Sequence, residues 1–144
     1  MSTDVRIRLG LDLVEVASIK SAMADQGDRY LERVYTAAEL ADCRGRHGPD
    51  AVRLAGRFAV KEATLKVLPA SDEGLAFTSI ELVAEGAGVF RVALHGRAQE
   101  LADGAGVTSL SVSLSGDRHL ATAVVVAEYG GPDDGESVLL RPTR

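Results

Sequence analysis

The chain has 144 residues, 46% of them hydrophobic, with 16 basic against 21 acidic residues and a net charge of -5. That length supports one domain with its own core. The negative balance argues against a general nucleic-acid binder, which needs cations to displace counterions from phosphates. The longest apolar run, 121–127 with Thr122 inside it, is far too short to span a membrane. One cysteine, Cys43, excludes an intramolecular disulfide, no Cys/His spacing resembles a zinc site, and the amino terminus does not read as a secretory leader. A reducing cytoplasm is the expected compartment.

Residues 5–14 alternate Ile7, Leu9, Leu11 and Leu13 with Arg6, Arg8, Gly10 and Asp12, the period of a half-buried strand. Asp12 stands near its carboxyl end, a place for a ligand group or for a turn or helix cap. Residues 15–24 predict a short helix, 28–34 a further helical turn or two, and Thr36 with Glu39 forms a capping box that opens a helix to about Arg46.

Residues 53–68 then read as a long helix, with Leu54, Phe58, Leu65 and Leu68 in one apolar stripe and Pro69 as its stop. Glu62 falls within or beside that stripe, where a carboxylate needs a cation. Lys66 one turn later, or a bound metal ion, would serve. Arg44, Arg46, Arg53, Arg57, Lys61 and Lys66 crowd one stretch, which reads as a solvated face or as a surface for a phosphate-rich ligand.

Beyond Pro69, residues 77–84 and 89–94 predict a hairpin, 95–102 a helix stopped at Gly104 and Gly106, and 109–115 and 120–129 two more strands. The Val- and Ala-rich last strand is expected to be central, with both faces covered. The sum is an α+β domain over 1–130, an antiparallel sheet packed against a long central helix, with 131–144 as a flexible tail.

Two motifs carry a resemblance. Gly10-Leu11-Asp12-Leu13-Val14-Glu15 resembles G-x-D-x-V-E, and the stretch from Arg57 to Lys66 fits R-F/W-A/S-x-K-E-A/S-x-x-K at every fixed position. Together they resemble the 4'-phosphopantetheinyl transferases of the small holo-acyl-carrier-protein synthase type, over roughly 9–128.

The resemblance implies transfer of 4'-phosphopantetheine from coenzyme A to a serine of an acyl carrier protein of fatty-acid or polyketide synthesis. It implies release of adenosine 3',5'-bisphosphate, dependence on Mg2+, and a homotrimer with active sites between subunits. It implies Asp12 and Glu62 as metal ligands, Glu62 and Lys66 as catalytic groups, and Arg53, Arg57, Lys61 and Lys66 on the coenzyme A phosphates. Lys20 and Arg29 are the cations left to dock an acidic carrier. Three features depart from relatives: Ser18 stands where they usually offer an arginine to the carrier, and, nearer the transfer itself, Gly116 stands where many have a histidine and 69–72 replaces a glycine-rich loop. The last two leave as the alternative a non-catalytic module that binds coenzyme A or a carrier protein.

Overall fold

The computed structural model describes residues 5–69 and 74–130. Strand β1 (Arg6–Glu15) leads into helices α1 (Val16–Gln26), α2 (Asp28–Val34) and α3 (Ala37–Asp42). The capping box at Thr36 is formed as the sequence predicts, each partner's side chain meeting the other's backbone. Helix α3 ends earlier than expected, because Arg44–Gly45 (β2) turns back to pair with Gly48–Pro49 (β3). Helix α4 (Ala51–Val67) begins two residues before the predicted start: Asp50 caps it by accepting from Val52 N and Arg53 N at 2.9 and 3.3 Å.

The second half supplies β4 (Ile80–Gly86), β5 (Val89–Leu94), α5 (Gly96–Ala105), β6 (Val107–Gly116) and β7 (Leu120–Tyr129). Phe77–Ser79 forms one turn of 3-10 helix before β4, so that strand starts three residues later than the pattern implies. Helix α5 runs through Gly104 and stops at Gly106, whose φ of 80° is the left-handed geometry that ends helices. The sheet that receives α4 has the antiparallel order β1-β7-β6, with β7 central as expected, while β4 and β5 form a separate hairpin. The fold is thus mixed α and β with antiparallel sheets. Among the described residues no helix is long and apolar enough to cross a membrane.

Small residues set the approach of α4 to this sheet. Ala55, Ala59, Ala63 and Val67 on the helix are fully buried, as are Val125 and Ala127 on β7. Gly10 takes the contact to its limit: a Cβ there would lie 2.1 Å from the Ala63 carbonyl oxygen.

One sequence expectation is reversed. The apolar residues of an alternating strand ordinarily form its core face, yet Ile7, Leu9, Leu11 and Leu13 of β1 are 54–66% exposed. Arg6, Arg8, Gly10, Asp12 and Val14 take the other face, toward α4. The close helix contact requires the glycine inward, and strand alternation then sends every leucine outward.

Candidate active site

Strand β1 and helix α4 bring two of the motif residues together. Lys66 Nζ donates to the Leu11 carbonyl at 2.6 Å and to Asp12 Oδ1 at 3.2 Å, with side-chain exposures of 24% and 12% for the lysine and aspartate. Thr122 Oγ1 on β7 donates to the Asp12 carbonyl at 3.0 Å, which fixes the strand at that point. Glu62 is half-buried one turn before Lys66 on the same helix. A recessed cation and a carboxylate therefore meet in the seam between β1 and α4, where solvent screens charges less than on an open surface.

The two arginines lie apart from that seam. Arg53 is on the first turn of α4, 56% exposed, with Nε 3.6 Å from Asp50 and Nη1 donating to the Asp42 carbonyl at 3.3 Å. At about 1.5 Å of rise per residue it stands about 13 Å along the axis from Glu62. Arg57 is only 6% exposed, its guanidinium 5.5 Å from the centre of the Phe90 ring on β5. Its Nε has no hydrogen-bond partner among the described residues. Beside it, burial pushes the Cys43 thiol up to about 11.

Lys61 departs most from expectation. It is fully buried and turned away from β1, donating to Glu39 Oε1 at 2.6 Å, to the Phe77 carbonyl at 2.9 Å and to the Ile80 carbonyl. An ammonium has three protons to give, and these acceptors take them all. In this fold the Lys61 ammonium is thus engaged by protein acceptors. Desolvation lowers its pKa, against the opposing pull of Glu39.

Glu39 itself is also 0% exposed, and the sequence marks it only as the third residue of a capping box. It additionally accepts from Leu82 N at 3.2 Å. The signal was in the sequence: Lys61 occupies the stripe of Leu54, Phe58, Leu65 and Leu68, so it, rather than Glu62, is the charge on the apolar face. Among the described residues no three His, Cys, Asp or Glu side chains cluster as an all-protein metal cage.

Comparison with known proteins gives the family. Residues 8–124 match the model of the 4'-phosphopantetheinyl transferase superfamily. The chain is 43% identical over 121 residues to a holo-acyl-carrier-protein synthase of Edwardsiella ictaluri, covering 83% of this chain and 95% of that protein. It is 38% identical over 129 residues to one of Moorella thermoacetica, covering 90% and 99%. Among solved structures it is similar to the Helicobacter pylori holo-acyl-carrier-protein synthase in complex with coenzyme A, with a TM-score of 0.72, 30% identity and coverage of 83% and 99%. The family match over 8–124 and these relatives show that the chain belongs to the 4'-phosphopantetheinyl transferase superfamily.

Proposed function

We propose that this protein is a holo-acyl-carrier-protein synthase, moving the 4'-phosphopantetheine arm of coenzyme A onto a serine of an acyl carrier protein, free or as a domain of a synthase. The observation that carries the reading is the meeting of Asp12 and Lys66 across the β1–α4 seam, with Glu62 one turn away. In the transfer a bond forms between the serine oxygen and the phosphorus that bears the pantetheine. The bond from that phosphorus to the nucleotide's phosphate oxygen breaks, and adenosine 3',5'-bisphosphate leaves. The serine proton must be taken up and the leaving oxygen neutralised.

Glu62, half-buried and beside a cation, accepts the proton. Lys66, already donating to two oxygens in the seam, offers its ammonium to the leaving phosphate. Arg57, whose buried Nε lacks a partner among the described residues, has a donor to give to a coenzyme A phosphate. Arg53 supplies a more distant, solvent-screened charge.

The donor set fits Mg2+. That ion takes oxygen ligands and is usually held by one or two carboxylates, with substrate phosphates and waters completing the shell. Asp12 and Glu62 would hold it, and when bound it would neutralise charge on the pyrophosphate. The reading extends to a homotrimer with sites between subunits. Its support is the outer face of β1, where Val5, Ile7, Leu9, Leu11 and Leu13 form an apolar row over 50% exposed in the single chain. Lys20 and Arg29, both exposed, are the cations assigned to carrier docking. The reading places the protein in the cytoplasm, in keeping with its lone cysteine.

Intact-mass spectrometry of apo carrier proteins incubated with this protein, coenzyme A and Mg2+ tests the reading. The expected result is a gain of one phosphopantetheine that disappears without metal and slows by about 100-fold or more in Glu62→Gln, the range for loss of a general base. Coenzyme A bound with no transfer to any carrier would overturn it in favour of a non-catalytic binding module.

A further inference from the structure

Helix α4 carries Glu62 and Lys66, so its rotation about its own axis decides where both groups point. One side of that rotation is set by β1, through Lys66 and the Leu11 carbonyl. The other is set by a buried charged network that the transfer chemistry above does not use. Glu39 receives Lys61 Nζ at 2.6 Å, Leu82 N at 3.2 Å and its own cap's Thr36 N at 3.1 Å. Lys61 in turn holds the Phe77 and Ile80 carbonyls, and its ammonium lies 6.0 Å from the centre of the Tyr35 ring. Two side chains with no exposure thus tie together α3, α4, the 3-10 turn and β4.

A buried ion pair is a poor device for stability alone, because apolar residues of similar volume often do as well or better. Its directional bonds suit it to holding one arrangement. Successive helix positions are about 100° apart, so fixing Lys61 fixes its neighbour Glu62 and, one turn on, Lys66. We infer that Glu39 and Lys61 are positioning residues for the transfer, a buried pair that sets the phase of α4 and so the placement of Glu62 and Lys66 against β1. This rests on the transferase reading. Neither residue touches substrate, and both act through α4.

The test is a double-mutant cycle on the full chain with Glu39→Gln, Lys61→Met and the double variant Glu39→Gln/Lys61→Met. Transfer kinetics are followed by mass, coenzyme A affinity by calorimetry, and the folded fraction by circular dichroism at the assay temperature. Misplacement of reacting groups by about 1 Å costs up to about 100-fold in rate. Each single variant is therefore expected to lose about 10- to 100-fold in kcat per folded molecule, with KM for coenzyme A changed by less than about threefold. Residues acting as one unit are non-additive, so the double variant should lose no more than the worse single one.

The double variant leaves no unpaired buried charge, so it carries the same kcat comparison if a single variant does not fold. Unchanged kcat per folded molecule would overturn the inference, as would losses that add. A loss of coenzyme A affinity in Lys61→Met without one in Glu39→Gln would overturn it too, by showing that Lys61 reaches the ligand. Absence of transfer by the unaltered protein would instead remove the transferase reading and the inference with it, whereas active protein with unaffected variants removes the inference alone.

Discussion

Substitution of Gly10 by alanine tests whether the β1–α4 contact builds the site. The added Cβ would lie 2.1 Å from the Ala63 carbonyl oxygen, 3.0 Å from the Ala63 carbonyl carbon and 3.1 Å from Val67 Cγ1. The first two are backbone atoms, so no rotamer change relieves the clash. Strand and helix must part by roughly 1 Å or more before the contact becomes ordinary.

Overpacking of this kind costs about 1–3 kcal/mol, and each kcal/mol lowers Tm by about 2–8 °C for chains in this size range. Asp12 is two residues on and on the same face, so parting also pulls it from Lys66, now 3.2 Å away. The transfer rate should fall by about 100-fold, the scale of a 1 Å misplacement. Thermal unfolding and the mass-based transfer assay read the two effects. Gly104→Ala is the control: its Cβ meets nothing within 4 Å inside α5, so it should stabilise by about 0.5–1 kcal/mol through helix propensity and leave transfer intact. Gly10→Ala with wild-type Tm and wild-type rate would refute the reasoning.

Three further outcomes follow from named contacts. Gly116→His places a Cβ 2.8 Å from the Leu120 carbonyl oxygen and 3.2 Å from Ala121 Cα; chemical denaturation should show a loss of about 1–3 kcal/mol, with no gain in transfer rate. Leu9→Glu with Leu11→Lys charges the outer row of β1, and sedimentation should show a smaller assembly than the unaltered chain forms, while an unchanged mass would remove that row from the interface. Burial raises the Cys43 thiol from 9.0 to about 11, so between those values the unfolded chain has lost a proton that the folded chain keeps. The thiol's contribution is therefore full below pH 9 and lost as pH rises toward 11, with a slope approaching about 1.4 kcal/mol per pH unit. Cys43→Ala should flatten the fall in urea stability over that window, and parallel curves for the two proteins would refute the assignment.

What was legible in the sequence divides along a physical line. Local signals are legible: the Thr36 capping box, the central β7 with its Val and Ala run, and Gly106 as a helix stop depend on neighbours within a few residues. The face of β1 is not, because alternation fixes only that two faces differ. Which face turns inward is decided by a partner more than fifty residues away, the Ala63 carbonyl that admits only a glycine. The burial of Lys61 is hidden from the sequence for a related reason. A lysine on a helix ordinarily keeps its head in water, and only Glu39 with the Phe77 and Ile80 carbonyls makes its full burial tolerable.

The same inversion ties the candidate site to the outer surface. Because Gly10 must face α4, Asp12 faces it too and meets Lys66, while Leu9, Leu11 and Leu13 are driven outward by the same two-residue period. A one-residue slip of β1 in its register with β7 would bury the leucines and satisfy the single chain. It would also put Leu11 against Ala63 and turn Asp12 to solvent. The strand therefore trades its apolar face for the site, and the row of leucines left outside is the direct consequence of placing a carboxylate beside Lys66.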